Sequence, residues 1–547
     1  MEADASSQSE TAIRHASRLF PGLSISLALV AGLLLRLWML KKYFQVDYDS
    51  LIYGGIAKHL MQQGSYLINR PSGEVLPTMI RLPGYPFFLA LCFRLFGMEN
   101  YASAVWVQIV LELAGCLLLA DCARRIAPVG LGRGAAHATL WMAALCPFTA
   151  IYAVEPLTEA PTLFAIALGL WAAIRFRQRP GWGPALCFTG AVTFAALLRP
   201  DGALVAIALA PALLIGLKRG EGKSGKEDRP EAEREESSKA KRMLGTPRTL
   251  GAPRTLGTPR TLGAPSISRS LRNGWDTMTL VPSQVKNPVR LLRMALICTL
   301  LALTPFTLWT VRNWQVFHVF QPLAPRYAND PDQGTYPGWQ RWVKTWSLDF
   351  VSTFDIYWAV PGEPLQLEKL PSRAFDSPQQ YTETAALAND YNVKDQAEDI
   401  VPEVDARFGK LAEERIQANP LRYHLWLPLG RLADMWLRPR VESIYDDLDW
   451  WAYARHPQKT LISYAYAGLN LLYLLLAATG LRLRPRFLWL SMAAYMVMRS
   501  GLLMTIEAPE ARYTLECFPM LFVLSGIGLC EGWRRISTRL HPLTESI

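Results

Sequence analysis

The sequence predicts an all-α polytopic membrane protein with about ten transmembrane helices, surface helices in the first outer loop and a mainly helical extracytoplasmic segment. Three observations predict it. Of the 547 residues 51% are hydrophobic, and they gather in repeated apolar stretches. Those stretches are about 16 to 21 residues long, enough to cross a hydrocarbon core. Between them, short arginine clusters recur on every second connection, as the positive-inside rule requires of one membrane face. Helices are the expected spanning element because backbone in lipid must satisfy its own hydrogen bonds.

Taken in order, Leu23–Leu40 is the first predicted span, running outward from Arg14 and Arg18. No small-residue cleavage site follows it, so it reads as a retained helix rather than a removed signal peptide. Within Val46–Tyr66, the residues Leu51, Ile52, Ile56, Ala57, Leu60 and Met61 recur at helical spacing, which describes a helix lying on the membrane. Arg81–Gly97 is too short and too proline-marked to span, and reads as a second surface or re-entrant helix starting near Pro83. Further spans are predicted at Ala102–Ala120, Ala135–Ala153, Pro156–Ile174, Pro184–Leu198, Gly202–Leu217, Leu291–Val311, Leu461–Gly480, Phe487–Thr505 and Tyr513–Cys530. With this set Arg124, Arg125, Arg175, Arg177, Arg534 and Arg535 share one side, and both termini are predicted cytoplasmic in the inner (plasma) membrane.

The predicted partition is therefore a cytoplasmic tail (1–20), an N-terminal transmembrane catalytic module (21–217) that includes the first outer loop (41–101), a basic cytoplasmic loop (218–290), a transmembrane helix (291–311), an extracytoplasmic segment (312–460), C-terminal transmembrane helices (461–532) and a cytoplasmic tail (533–547). The loop carries the repeat GTPRTLGAPRTLGTPRTLGAP, whose proline, glycine and arginine cannot bury a core. In the outer segment, Trp339, Trp342, Trp346 and Trp358 suit a local core, an aromatic belt or sugar stacking. Leu421–Leu437 carries arginine, histidine and aspartate among its apolar residues and reads as interfacial.

The net charge of +11 belongs to the arginine-rich membrane face. No basic stripe is interleaved with aromatics, so nucleic acid is excluded as a partner. The eight cysteines form no C-x-x-C pair and lie mostly in apolar segments as small core residues. No cofactor follows from the residues. Several acids could bind a divalent metal, but no dense carboxylate cage and no histidine cluster is evident.

The ionisable residues at the predicted outer span ends carry the functional expectation: Asp47, Asp49, Arg81, Glu155, Glu159, Arg199, Asp201, Arg312, Glu510 and Arg512. Charge at an apolar boundary is costly enough to mark a functional candidate. Acids and bases on one face suit a reaction that needs a general base together with a grip on phosphate. Plainer readings stand beside this one. Asp49 precedes an apolar helix as an N-cap does. Glu159 begins a span and suits its dipole. An arginine at a span end also serves as an anchor.

The motifs D-x-x-x-Y-x-x-I-A (Asp49 to Ala57), RLPGYP, EPLTEAPTLF, LLRPDG, LWTVRNW and EARYTLECFPML occur in that order. Together they resemble the GT-C superfamily of integral-membrane glycosyltransferases, in its protein O-mannosyltransferase-like and lipid A aminoarabinose transferase-like branch. The resemblance implies a sugar taken from a polyprenyl-phosphate donor and passed to a lipid, glycan or protein acceptor. It implies an acid in the first outer loop as base, at Asp49; relatives often carry Asp-Glu there, whereas this chain has Asp49-Ser50 with Asp47 upstream. It makes Glu159 the second acid. Arg81, Arg199, Arg312 and Arg512, with Tyr513 beside the last, are the expected substrate-binding set, since guanidinium groups hold phosphate bidentately. The runner-up enzyme is a polysaccharide polymerase or ligase with the same type of donor. A secondary transporter is disfavoured because the span centres read as largely apolar.

Overall fold

The computed structural model describes residues 2–46, 48–70, 72–214, 288–395, 400–444, 451–483 and 487–540. Asp47 and nearly all of the repeat-bearing loop lie outside the described residues. Among the described residues the fold is all-α, apart from a two-stranded ribbon that the sequence pattern did not announce, β1 (Leu67–Asn69) paired antiparallel with β2 (Val75–Pro77).

Among the described residues six helices are long and apolar enough to cross a bilayer, and a bent pair makes a seventh. The six lie within α1 (Glu2–Tyr43), α4 (Tyr101–Ile126), α7 (Glu159–Gln178), α10 (Pro288–Phe317), α16 (Pro457–Leu481) and the run formed by the 3₁₀ turn Ala511–Cys517 with α18 (Phe518–Leu540). Shorter apolar helices are α3 (Gly84–Phe96), α8 (Trp182–Leu198), α9 (Ala203–Leu214) and α17 (Phe487–Leu503). The chain is a multi-pass membrane protein.

The expected continuous span Ala135–Ala153 is broken. It forms α5 (Gly132–Ala144) and α6 (Pro147–Ala153), bent by 53°. Pro147 supplies no backbone N–H and clashes with the turn before it, so the ladder stops and restarts with the proline in the first turn of α6.

α4, α5, α7, α16 and α18 enclose the main core, which runs from Val105 and Ile109 through Leu140 and Ile166 to Phe518 and Leu524. Small residues set the approach of α16 and α18. A Cβ at Gly480 would lie 2.2 Å from the Leu524 carbonyl oxygen, and one at Gly528 would lie 2.1 Å from that of Leu476. Membrane helices depend on such contacts because lipid supplies no hydrophobic drive between them.

The expectation of apolar span centres fails clearly between α1 and α4. Arg36 of α1 and Glu112 of α4 form a salt bridge with side chains 0% and 6% exposed. The Arg36 Nε donates to Glu112 Oε2 at 2.6 Å, and its Nη1 donates to the Gly32 and Ala144 carbonyls at 2.7 Å each. Thr149, just past the α5–α6 break, donates to Glu112 Oε1 at 3.0 Å. The Ala144 carbonyl at the end of α5 is thus taken up by an arginine instead of a helical N–H.

The outer segment builds its own core. Trp339, Trp342 and Trp346, on and just beyond α11 (Pro337–Lys344), pack with Phe408 of α14 (Pro402–Ala418). They are 2%, 0% and 0% exposed, which settles them as core rather than sugar platforms. Asp405 accepts from the Gly338 and Trp339 amides at 3.1 and 2.8 Å, tying α14 to the start of α11. α12 (Phe350–Tyr357) and α13 (Pro378–Asp395) complete the segment. A π-helical turn, Arg422–Trp426, leads into α15 (Leu427–Leu437). Pro428 explains the turn: it cannot donate to the His424 carbonyl and crowds it, and the wider i→i+5 spacing relieves both. Leu421, Leu425 and Trp426 are exposed there, matching the interfacial reading.

Candidate active site

The first outer loop is fastened before it reaches the ionisable residues. α2 (Tyr48–Gln63) packs on α3, and the ribbon returns the chain to Arg81. Arg312 of α10 donates to the Tyr66 carbonyl at 2.9 Å and to the Thr78 carbonyl at 2.8 Å. Its guanidinium carbon lies 5.2 to 5.5 Å from the ring centres of Trp309, Phe317 and Tyr66. Asp330 accepts from the Met79 amide at 2.7 Å. Arg312, expected as a phosphate ligand, is therefore turned towards the loop backbone and stays outside the ionic cluster. The carbonyls of Tyr66 and Thr78 explain the difference, since both wait where its N–H groups point.

The other described candidates meet. Arg81 donates to Asp49 Oδ1 at 2.7 Å, and Arg512 lies 4.0 Å from Asp49 Oδ2. Arg512 also approaches Glu159 at 3.9 Å and Glu510 at 2.5 Å. Arg199 contacts Glu159 at 3.2 Å and Glu516 at 2.8 Å. Tyr513 donates from its hydroxyl to Glu510 at 2.8 Å, and the guanidinium carbons of Arg199 and Arg512 lie 5.3 and 5.4 Å from its ring centre. Four separate parts of the chain, at the starts of α2, α3 and α7 and at the α8–α9 junction, thus converge on the 3₁₀ turn 511–517. Among the described residues the oxygens of Asp49 face these two arginines and cap no helix.

Two arginines outside the expected set hold this turn. Arg499 of α17, fully buried, donates to the Tyr513 carbonyl at 3.0 and 2.8 Å, to Asp201 at 2.6 Å, and pairs with Glu516 at 2.7 Å. Arg440, just past α15, donates to the Ala511 carbonyl and, at 2.6 Å, to the Thr514 hydroxyl. Arg431 of α15 donates to the Ile506 carbonyl at 2.8 Å, and Lys344 pairs with Glu507 at 3.1 Å. The outer segment therefore grips the stretch that carries Arg512. A signal existed for Arg499 and Glu516, because each interrupts an apolar run.

Exposure divides the cluster by role. Glu159 and Glu516 have side chains 3% and 2% exposed and are shut behind their arginines. Asp49 is 36% exposed, and Arg81, Arg199 and Arg512 are 20 to 22% exposed. Burial pushes the Asp49 carboxyl up, but the guanidinium groups of Arg81 and Arg512 outweigh it and hold the group below its usual value. Asp49 is thus an ionised acceptor at neutral pH, with Oδ2 the less engaged oxygen. Three guanidinium groups with open edges next to it form a seat for an anion. Among the described residues no group of three or more His, Cys, Asp or Glu could hold a metal ion.

Residues 78–224 match the family model of dolichyl-phosphate-mannose-protein mannosyltransferases, a stretch that includes Arg81, Glu159 and Arg199. Over that segment, about a quarter of the chain, the sequence is similar to this family of membrane mannosyltransferases. No curated protein matches it. Two crystal structures of ArnT from Cupriavidus metallidurans are similar to it. The apo form is 13% identical with a TM-score of 0.34, covering 97% of this chain and 82% of that one. The form bound to undecaprenyl phosphate is 14% identical with a TM-score of 0.35, covering 96% and 81%. Both scores are too low to carry weight on the site of this chain.

Proposed function

We propose that this chain is a glycosyltransferase that moves a sugar from a polyprenyl-phosphate-linked donor to an acceptor at the extracytoplasmic face of the inner membrane, both termini being cytoplasmic. The observation that carries the reading is the pairing of one exposed, ionised carboxylate, Asp49, with three part-exposed guanidinium groups, Arg81, Arg199 and Arg512. The matched family's description, which names a dolichyl-phosphate-linked mannose, supports this class of donor.

In the proposed step, Asp49 takes the proton of the acceptor hydroxyl as that oxygen attacks the anomeric carbon. The bond from the anomeric carbon to the phosphate oxygen breaks. The lipid phosphate leaves as an anion, and the arginines balance the charge that grows on it. Glu159 serves as the second acid by keeping Arg199 and Arg512 aimed, and Tyr513 is the surface on which both lie. Asp47 stands as an alternative base upstream.

The test is a reconstituted-membrane assay with a radiolabelled polyprenyl-phosphate sugar. Asp49→Asn preserves shape and loses the charge, so transfer should fall by about 10²- to 10⁴-fold while donor binding persists. Full transfer by this variant removes Asp49 from the mechanism.

A further inference from the structure

A second site lies in the outer segment. Trp346, Arg373, Phe375, Asp376, Asn419, Arg422 and Leu427 line an open cavity of about 590 Å³. That volume falls within the roughly 300–1,000 Å³ of small-molecule sites. Its floor is apolar and closed: Trp346 is 0% exposed and Leu427 6%. Its rim is polar and accessible, with Asp376 and Asn419 exposed and Arg422 half-buried.

The rim is prearranged. Arg422 donates to both oxygens of Asp376, at 2.6 and 2.8 Å. This planar fork keeps unused lone pairs on the carboxylate and outward N–H groups on the guanidinium. Asn419 accepts from the Arg422 amide through Oδ1 at 3.1 Å, which leaves its Nδ2 hydrogens without a partner among the described residues. On the facing wall Arg373 is fixed by the Trp346 carbonyl at 2.9 Å and Asp349 at 2.5 Å, beside the half-buried ring of Phe375. Planar acceptors and donors in one rim, beside the half-buried ring of Phe375, match a pyranose ring. Such a ring offers hydroxyls along its edge and C–H groups on its face.

We propose that this cavity binds a sugar unit of the acceptor, and that the acceptor is an oligosaccharide. This rests on the glycosyl-transfer reading and names its second substrate. The length of α15 carries the step from sugar to oligosaccharide. Leu427 begins the helix, and Arg440, which grips the turn of Arg512, follows its end; at 1.5 Å per residue the helix alone sets its two ends roughly 15 Å apart. A single sugar or a serine side chain cannot occupy both, whereas a glycan chain can. α15 joins the two ends physically, since Arg431 and Arg440 on it and just beyond it hold Ile506 and Ala511.

The experiment uses the full chain in nanodiscs, presented to an array of immobilised oligosaccharides and monosaccharides. Wild type and Asp49→Asn should retain the same oligosaccharides. Phe375→Ala, Asn419→Ala and Arg422→Ala should weaken that retention about tenfold or more, the cost of one lost ring contact or charged hydrogen bond. Asn419→Ala is the variant least able to disturb folding, because the residue is exposed. Retention of monosaccharides alone, retention unaltered in all three variants, or no retained glycan overturns the proposal. Loss of transfer in Asp49→Asn with unchanged retention separates the two sites, so failure here leaves the transfer chemistry to be judged by its own assay.

Discussion

Two ionic groups occupy the same membrane module, and they are built in opposite ways. Arg36 and Glu112 are closed: two backbone carbonyls and Thr149 take what the salt bridge leaves, and both side chains are almost fully buried. Asp49, Arg81, Arg199 and Arg512 are open: the pairs are made, but each side chain keeps one-fifth or more of its surface exposed. A closed pair has nothing left to give a ligand and can only hold helices together. An open one holds itself in place and still has valences for a substrate. The contrast explains why an ionisable residue in a membrane segment is a functional candidate and no more until its unused valences are counted.

The contrast is broken most directly by removing one charge from each group. Asp49→Asn should cost about 10²- to 10⁴-fold in transfer and lower the midpoint of thermal unfolding in detergent only slightly, because its pair with Arg81 is part-exposed. Arg36→Ala should do the reverse, because it strands Glu112 in an apolar interior at a cost of about 3–5 kcal/mol. Replacing both partners with apolar residues, Arg36→Met with Glu112→Leu, should recover most of that loss. If the double variant transfers sugar poorly while folding well, the closed pair has a role in the chemistry and the division fails.

Much of the open group was legible in the sequence. Asp49, Arg81, Glu159, Arg199, Arg512 and Tyr513 all sit where an apolar run ends, and the alternation of spans puts those ends on one face. What the run boundaries do not encode is where a side chain turns once it is there. Arg312 ends a span as Arg199 does, yet two loop carbonyls capture it. Arg499 and Glu516 lie inside apolar runs, where the averaged hydropathy hides a lone charge. The α5–α6 break was also readable, since Pro147 stands inside the run. The contact between Arg36 and the Ala144 carbonyl needed coordinates, because 108 residues separate the two.

A buried acid in the outer segment sharpens the comparison from a third side. Burial pushes Asp434 of α15 up to about 6, while Arg438 and the Phe350 amide, which donates at 3.1 Å, only partly oppose it. The folded value is raised, so between the ordinary carboxylate range and about pH 6 the unfolded chain releases a proton that the folded chain keeps. Stability therefore falls as pH rises through that window and stays lowered above it. Asp434→Asn still accepts from Phe350 and should raise neutral-pH stability by about 2 kcal/mol, with little gain near pH 4. Equal gain at both values would assign the effect to packing. Unlike Asp49, this acid has no neighbouring guanidinium strong enough to offset its burial.

Asp49 runs the opposite way, and its acid limb is the finest test of which arginine matters. Its folded value is depressed, so its charge persists as pH falls below the ordinary carboxylate range and is lost only on passing the folded value. Arg81 supplies the larger share of that depression and a direct hydrogen bond, and Arg512 supplies the next. Arg81→Gln removes the first and keeps the second. In kcat/KM for transfer, the acid limb should then move to higher pH by about one unit. Arg512→Gln should move it less, because that contact is 4.0 Å long and carries no hydrogen bond. At the pH plateau both variants lose phosphate grip, so the plateau height falls for either; only the position of the limb reports on Asp49. An unmoved limb in Arg81→Gln would mean that another group gives up the titrating proton, and Asp47, two residues upstream, is the first to replace next.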